Sequence, residues 1–261
     1  MERARRRHEG RVVLVTGAGS GIGRATVERV IAEGGSAVGV DRSAASFDWV
    51  TGHPEAAQIA VVSGDVTEAS VNEHAATLAI ERFGRLDALV LNAGIPMSGD
   101  LLSMPMDELD RVLAVNVKAV VLGIRAGVPK FGPGGSIVVT ASTSGLAGDP
   151  NMWPYNTSKA AVINLVRGAA LDLGPRGIRI NAVCPGPTET GMTTRIKSAP
   201  EVHEGLRRRI ALQRWGRADE IASVISFLAS DEASFVTGAA VPVDGGITAN
   251  TGQFLPNEHL A

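Results

Sequence analysis

The chain of 261 residues has one cysteine, Cys184, and only 4% aromatic residues. A single cysteine excludes an intrachain disulfide and a cysteine-rich metal site. No metal centre is expected from the five histidines either, because they are scattered without ligand spacing. Neither sign of charge dominates, since 25 lysines and arginines stand against 27 acidic residues. Binding to nucleic acid relies on a basic surface, so the composition gives no reason to expect it.

The sequence also lacks an uninterrupted apolar run of about 18 residues, the length that crosses a membrane. The N-terminus resembles the charged start of a signal peptide, but no adequate apolar stretch or cleavage site follows it. We therefore expect a cytoplasmic protein with no membrane partner. Residues 1–10 are predicted to be a flexible, solvated basic tail, with a binding arm as the alternative. The arginines of this region are Arg3, Arg5, Arg6, Arg7 and Arg11.

Short apolar runs alternate with helical patterns along most of the chain. The first run, 12–15, is apolar throughout, which is typical of a strand buried on both faces of a sheet. Strands are predicted at 11–16, 36–40, 58–63, 86–91, 134–141, 178–184 and 239–243, and helices at 21–33, 68–83, 107–128, 154–173 and 219–229. This alternation predicts an α/β fold, a doubly wound parallel sheet of the Rossmann type with helices on both faces. No linker or repeat divides residues 11–261, so one domain is expected.

The stretch from Pro185 to Trp215 is long and irregular, interrupted by a predicted helix at 201–210. Long insertions after a sheet strand often serve as lids or binding loops. This one follows the carboxyl end of a strand, where open α/β sheets bind ligands. A substrate lid is therefore expected at about 186–215.

Four glycines in seven positions join the first strand to the first helix, at positions 17, 19, 21 and 23. Glycines let the backbone approach a pyrophosphate closely, and the helix that follows offers unpaired N–H groups to that anion. A plain turn is the alternative, since a turn needs only one or two glycines. The position at a strand-to-helix junction favours dinucleotide binding.

Asp41 closes the second strand, 24 positions after Gly17. An acidic residue about 20 positions on hydrogen-bonds the adenosine ribose in this kind of site, and it would repel a 2′-phosphate. Asp41 therefore favours NAD(H) over NADP(H). Arg42 complicates the choice, because an arginine here can accommodate a 2′-phosphate or instead cover the adenine as a solvated side chain.

The only tyrosine, Tyr155, lies four positions before Lys159, one of four lysines. Residues at this spacing are neighbours on a helix surface. A phenol has a pKa of about 10, and a nearby ammonium favours its ionised form. The pair therefore indicates acid/base chemistry, although a packing pair on a helix surface is the alternative.

With further motifs in a fixed order, the sequence resembles the short-chain dehydrogenase/reductase family, in its compact single-domain branch, over about residues 10–246. The motifs are Thr16-Gly17-x-x-x-Gly21-x-Gly23, Asp65-Val66, Asn92-Ala93-Gly94, Asn116, Ser142, Tyr155-x-x-x-Lys159, Pro185-Gly186 and Asp244-Gly245-Gly246. One departure is that Leu91 stands where many family members have a second asparagine.

The resemblance implies four catalytic residues. Tyr155 would be the general acid/base, and Ser142 the hydroxyl that positions and polarises the substrate oxygen. Ser144 is the competing serine, but the offset of 13 residues to the tyrosine selects Ser142. Lys159 would lower the pKa of the tyrosine and bind the nicotinamide ribose. Asn116 would kink its helix and hold a water that leads to the lysine.

The same resemblance implies a set of cofactor contacts. The expected residues are Gly17, Ser20, Gly21, Ile22, Gly23, Asp41, Arg42, Asp65, Val66, Asn92, Ala93, Gly94, Tyr155, Lys159, Pro185, Gly186, Thr188 and Thr190. Ser20 occupies a position that often carries a basic residue in relatives that prefer NADPH. Its identity here agrees with the argument from Asp41.

The predicted substrate pocket is apolar, with little charge near the chemistry. Its expected side chains are Met97, Leu146, Met152, Trp153, Met192, Ile196 and Trp215, although several of them could instead pack the lid. This set suits a hydrophobic secondary alcohol or ketone, which predicts an NAD(H)-dependent oxidoreductase. The alternative is an NADPH-dependent 3-oxoacyl-carrier-protein reductase, in which Arg42 would accommodate the 2′-phosphate. The acidic carrier would then meet the lid cations, although the arginines among them could instead form a solvated helix face. These cations are Arg195, Lys197, Arg207, Arg208 and Arg209.

Two further expectations concern assembly and a different class of protein. A nucleotide-binding redox sensor without catalysis is disfavoured by the intact catalytic residues. The resemblance implies a homotetramer built through the helices at 107–128 and 154–173 and the last strand. Near the C-terminus, Phe254, Leu255 and Pro256 could cap the pocket, contact a partner subunit or fray.

Overall fold

A computed structural model of the chain describes residues 6–252 and 255–256. Of the three C-terminal residues singled out above, Phe254 lies outside this part. Nine strands occur in the described residues: β1 (Val12–Thr16), β2 (Ser36–Asp41), β3 (Ile59–Ser63), β4 (Ala88–Leu91), β5 (Gly135–Thr140), β6 (Ile178–Pro185), β7 (Thr188–Glu189), β8 (Gly216–Arg217) and β9 (Ala240–Val243). The helices are α1 (Gly21–Ala32), α2 (Ala69–Phe83), α3 (Met106–Leu113), α4 (Ala119–Gly127), α5 (Trp153–Leu173), α6 (Thr194–Lys197), α7 (Pro200–Arg209) and α8 (Ala218–Ala229).

Seven of these strands form one parallel sheet in the order β3-β2-β1-β4-β5-β6-β9. Strand β1 pairs with β2 on one side and with β4 on the other. The chain therefore reverses its winding direction beside β1, and this is the place where open α/β sheets bind ligands. The predicted doubly wound parallel sheet in a single domain is confirmed.

The core lies in two layers, one on each face of the sheet. Side chains alternate across a strand, so Val13 and Val15 of β1 join a cluster with α1 and α8. Val12 and Leu14 face the opposite way, into a cluster that includes residues of α2, α4 and α5. Every residue of β1 is buried, as its uninterrupted apolar sequence predicts.

The predicted helix at 107–128 is not one regular helix. A π-helix at Ala114–Lys118 separates α3 from α4. By length and composition alone, the helical run Met106–Lys130 could cross a membrane, since an 18-residue window within it has a mean hydropathy of 1.6. In the fold, however, α4 packs against α2, and the π-helix packs against α5.

The N-terminal segment corrects the expectation of a solvated tail over residues 1–10. The Arg7 guanidinium lies 3.2 Å from Glu33 and 2.8 Å from Glu232. His8 is fully buried, with its Nε2 3.0 Å from the hydroxyl of Ser226. That hydroxyl donates in turn to Glu33, which ends α1. Residues 6–10 are therefore docked on α1 and α8, while 1–5 lie outside the described residues.

Several short elements were absent from the sequence prediction. A 3₁₀-helix at Ala44–Val50 follows β2, and β7 pairs with β8 at the two ends of the lid. The predicted lid helix is present as α7, next to the short α6. The strand pair holds the beginning and the end of the lid together.

Stability should depend on pH through His8. Burial lowers the pKa of His8 to about 4, against the opposing charge of Glu33. An unfolded histidine has a pKa of about 6.5, so between these values the unfolded state binds more protons than the folded state. This contribution to stability is complete above about pH 6.5 and falls as the pH drops, by about 3 kcal/mol at pH 4. Urea unfolding across this range measures it.

A His8→Asn variant should lose this part of the pH dependence. His74→Asn is the matched control, because His74 is exposed on α2 and should leave the slope unchanged. Equal slopes for both variants and the original chain would contradict the role of His8.

Candidate active site

The glycine turn is folded too tightly for side chains. Gly17 has a φ of +67°, and a Cβ there would lie 3.0 Å from the Cα of Ala93. A Cβ on Gly23 would lie 2.0 Å from the carbonyl oxygen of Gly17. The first turn of α1 contains no acidic residue, and the Ser20 side chain does not cap it. These features fit a pyrophosphate, which needs close backbone approach and free N–H groups at a helix start.

Asp41 is held against the same turn. One carboxylate oxygen accepts the Gly19 N–H at 2.9 Å, and the other accepts the Arg42 N–H at 2.8 Å. The 3₁₀-helix after β2 closes over this point, since a Cβ on Gly19 would lie 2.3 Å from that of Ser46. The carboxylate is therefore fixed where the ribose of a dinucleotide lies in this type of fold.

The Arg42 side chain acts electrostatically on the next predicted cofactor residue. Two hydrogen bonds from Thr67 hold the pKa of Asp65 below its usual range, and the charge of Arg42 lowers it further. Val66, the predicted companion of Asp65, is buried in the core beside α2.

A polar network joins the glycine turn to the centre of the sheet. The Asn92 amide donates to the carbonyls of Thr16 and Gly17 at 3.1 and 3.4 Å. The Thr16 hydroxyl accepts the N–H groups of Asn92 and Ala93. On the other side, the Thr140 hydroxyl donates to Asn92 Oδ1 at 3.1 Å. Strands β1, β4 and β5 are therefore tied together at their carboxyl ends.

Lys159 is buried at the end of this network. Its Nζ donates to the Thr140 carbonyl at 2.8 Å, and burial lowers its pKa to about 8. A Cβ on Gly94 would lie 3.3 Å from both Lys159 Nζ and Asn116 Oδ1. Glycine at this position leaves room for the two polar groups to stand side by side.

Asn116 lies within the π-helix and is almost completely buried. Its Nδ2 donates to the Ile95 carbonyl and to the Ser158 hydroxyl, both at 3.0 Å, and its Oδ1 accepts the Ile95 N–H. Ser158 donates to the Tyr155 carbonyl at 2.8 Å. The interruption of the helix expected from the family resemblance is present at this residue, and it connects the π-helix to α5.

Tyr155 and Ser142 meet above Lys159. Burial raises the pKa of Tyr155, the hydrogen bond with the Ser142 hydroxyl opposes that rise, and the charge of Asp149 adds to it. Lys159 Nζ lies 5.6 Å from the centre of the tyrosine ring. Burial is the largest influence on the pKa of this phenol, so the structure does not show the lowering by Lys159 that the resemblance implies.

The remaining predicted contacts lie at the start of the lid. A Cβ on Gly21 would lie 3.3 Å from the Thr190 side chain, so the lid begins against α1. Thr188 is buried and donates to the Gly186 carbonyl. Pro185 ends β6 beside β9, and Ile22 packs on the core from the first turn of α1.

Trp215 does not line a substrate pocket. It is buried and stacks on His203 of α7, with ring centres 4.6 Å apart. It packs the lid, which was the alternative considered for it. Leu146 and Met192, in contrast, are 41% and 48% exposed, as an open apolar mouth requires.

Sequence reasoning missed Thr140 and Ser158, and it named Thr16 only as part of the glycine motif. The two threonines are the last residues of β1 and β5. A polar residue at the end of an apolar run was therefore the sequence signal that could have identified them. Ser158 precedes Lys159 on α5 and has 0% exposure. Nothing in the sequence pattern distinguishes it from a serine on the helix surface.

The parallel sheet, the glycine turn and the acidic end of β2 define a dinucleotide-binding α/β protein. A family model described as "Enoyl-(Acyl carrier protein) reductase" matches residues 17–248. Meso-2,3-butanediol dehydrogenase of Serratia marcescens is 40% identical over 248 residues, which cover 95% of this chain and 98% of the relative.

Two further comparisons agree. The 3-oxoacyl-acyl-carrier-protein reductase of Thermotoga maritima is 38% identical, with 92% of this chain and 99% of the relative covered. The crystal structure of levodione reductase matches with a TM-score of 0.85 at 36% identity, covering 93% of this chain and 99% of that one. The chain belongs to the short-chain dehydrogenase/reductase family. It is an oxidoreductase of a family that acts on alcohols with a nicotinamide cofactor.

Because the chain has one tyrosine, the ultraviolet absorbance of tyrosinate reports on Tyr155 alone. We expect the ligand-free protein to show this absorbance only above about pH 10, since burial raises the pKa. A hydrogen bond to a charged oxygen contributes about 1.5 kcal/mol or more. Ser142→Ala should therefore raise the midpoint of the tyrosinate titration by about one pH unit. Rapid pH jumps keep the chain folded during the measurement.

Tyr155→Phe supplies the baseline, which should show no titration. Ionisation of the original chain at or below its unperturbed value, or an unchanged titration in Ser142→Ala, would contradict the described environment of the phenol.

Proposed function

We propose that the protein is an NAD(H)-dependent oxidoreductase that interconverts a secondary alcohol with an apolar body and the corresponding ketone. The observation that carries the proposal is the meeting of Ser142, Tyr155 and Lys159 beside the glycine turn. Leu146, which follows the turn that begins at Ser142, and Met192 of the lid are exposed apolar side chains. The names of relatives such as meso-2,3-butanediol dehydrogenase agree with a secondary alcohol as substrate.

The chain's residues divide the proton chemistry among them. In alcohol oxidation, the Tyr155 oxygen takes the proton of the substrate hydroxyl while the carbon loses a hydride with its electron pair. The bound nicotinamide ring supplies the hydride acceptor, or the donor in ketone reduction. Ser142 hydrogen-bonds the reacting oxygen and holds it at the phenol. The Lys159 ammonium favours the phenolate, and Asn116 fixes the helix start that carries the tyrosine.

Asp41 supports NAD(H) as the cofactor. Its carboxylate is fixed at the glycine turn by the Gly19 N–H, so a 2′-phosphate would meet a negative charge there. Asp65 is a second carboxylate whose pKa responds to the charge of Arg42. The residues that would hold the cofactor are those predicted from the motifs, from Gly17 to Thr190.

A second candidate is the NADPH-dependent 3-oxoacyl-carrier-protein reductase. The Thermotoga maritima relative and the description of the family model favour it. The described lid cations favour it less, because Arg207 forms two hydrogen bonds with Glu204 at 2.6 Å each. The side chains of Arg195 and Lys197 lie outside the described part of the lid. Cofactor preference separates the two candidates.

A homotetramer in the cytoplasm remains our proposal for the state of the protein. Leu171 on α5 is 79% exposed, and Phe235 is fully exposed before β9. Strand β9 is also an edge of the sheet. Exposed apolar side chains and a free sheet edge are features that a second copy can cover.

Replacement of Tyr155 by phenylalanine tests the catalytic proposal. Tyr155→Phe should lower kcat for a secondary alcohol by about 10²–10⁴-fold, because it removes the group that accepts the proton. Calorimetric binding of NADH should stay within about threefold, about 0.7 kcal/mol. Thr157→Val removes an exposed hydroxyl from the same helix and should leave kcat unchanged. Full activity in Tyr155→Phe would refute the assigned role.

Titration calorimetry with NADH and NADPH tests the cofactor proposal. NADH should bind at least about tenfold tighter, which corresponds to about 1.4 kcal/mol. Asp41→Ser should remove most of this difference by improving NADPH binding, because the repelling charge is gone. Asp48→Ser changes an exposed carboxylate on the neighbouring 3₁₀-helix and should keep the original preference. Tighter binding of NADPH by the original chain would place the carrier-protein reductase first.

A further inference from the structure

We propose that Asp149 is a specificity-determining residue that accepts a hydrogen bond from a second hydroxyl of the substrate, next to the reacting carbon. The preferred substrates are then vicinal diols and the corresponding α-hydroxyketones. This inference rests on the proposed function and names the substrate class of the same site. Sequence analysis predicted an apolar pocket with little charge, so the carboxylate is an unexpected member of the site.

The Asp149 carboxylate is linked to the catalytic Ser142 through one intervening residue, Ser144. The Ser142 hydroxyl accepts the Ser144 N–H at 3.1 Å, and the Ser144 hydroxyl donates to Asp149 Oδ2 at 2.5 Å. The Asp149 charge is also felt at the Tyr155 phenol, whose pKa it raises. A substrate oxygen held by Ser142 and Tyr155 therefore has this carboxylate nearby.

The carboxylate stands on a fixed loop. The Asp149 carbonyl accepts the Asn156 side-chain amide at 2.9 Å, which ties it to the first turn of α5. Asn151, two residues further on, accepts the Gly99 N–H at 2.9 Å. The loop before α5 is thus attached both to the catalytic helix and to the loop that follows β4. A hydrogen-bond acceptor held this way can select substrates by geometry.

The Asp149 carboxylate keeps hydrogen-bonding capacity for a ligand. No lysine or arginine in the described residues forms an ion pair with it, and only its Oδ2 has a side-chain partner there. The residue is exposed at the mouth of the site, so its other oxygen is open to a ligand. If its only role were to hold the loop through Ser144, a neutral acceptor would serve equally well.

A second hydroxyl fits this position better than other groups. A carboxylate accepts hydrogen bonds strongly and repels anions. A hydroxyl on the neighbouring carbon donates to it, whereas a substrate carboxylate there would be repelled. When an alcohol without that hydroxyl binds, the Asp149 carboxylate loses bound water and gains no hydrogen bond in exchange. This disfavours binding of such an alcohol.

Two pairs of substrates that differ by one hydroxyl test the inference. They are 2,3-butanediol with 2-butanol, and trans-1,2-cyclohexanediol with cyclohexanol, each oxidised with NAD⁺ in the full-length protein. The original chain should show a higher kcat/KM for each diol, by about tenfold or more. Asp149→Leu should lower kcat/KM for the diols by about 10–100-fold and leave the mono-alcohols unchanged or improved. Asp149→Asn, which keeps a neutral acceptor, should fall between them.

Asp100→Asn is the matched control, because it neutralises an exposed carboxylate on the loop that contacts the Asp149 loop. Its diol preference should equal that of the original chain. Calorimetric binding of NADH and a thermal melt verify that each variant is folded.

The outcomes separate the two proposals. If the original chain oxidises the mono-alcohols as well as the diols, or if Asp149→Leu keeps the original preference, the role of Asp149 is wrong and the proposed function stands. If the original chain binds NADH but oxidises none of the four alcohols, and reduces none of the matching ketones, the proposed function fails and this inference fails with it.

Discussion

The buried ammonium of Lys159 needs polar groups around it in place of water, and the rest of the site depends on this need. A charge taken out of water is costly unless polar groups replace its hydration. The Thr140 carbonyl provides one such group. The missing side chain of Gly94 lets the lysine and Asn116 lie next to each other. The end of β5 thus holds the buried charge, while the glycine after β4 leaves space beside it.

The carboxyl end of β5 also links the glycine turn to the catalytic side chains. The carbonyl of Thr140 receives the lysine, and its hydroxyl reaches Asn92, which holds the backbone of Gly17. Thr140 and Asn92 therefore connect the glycine turn to the lysine beside Tyr155. The link consists of three hydrogen bonds, from Lys159 to Thr140, from Thr140 to Asn92 and from Asn92 to Gly17.

The sequence was sufficient for the sheet, its helices and the residues that carry the family motifs, because these depend on local periodicity and short spacings. It was insufficient where a contact joins distant segments. Arg7 and His8 resembled a solvated tail, since their partners Glu33 and Ser226 lie in other elements. The role of Asp149 likewise depends on how its loop folds back to Ser144. Apolar spacing alone did not reveal the π-helix, because it differs little from that of an α-helix, and only the family resemblance pointed to an interruption at Asn116.

The π-helix changes the rotation of α4, the helix that follows it, about its own axis. Each α-helical residue advances the chain by about 100°, so the wider turn at Ala114–Lys118 changes which face of α4 meets the sheet. That face carries Gly123 and Gly127, where a Cβ would lie 2.5 and 2.6 Å from the side chains of Leu91 and Leu89. Without the extra residue, bulkier side chains would rotate into this contact. The insertion that shapes the catalytic site therefore also sets how closely the helix can rest on its sheet.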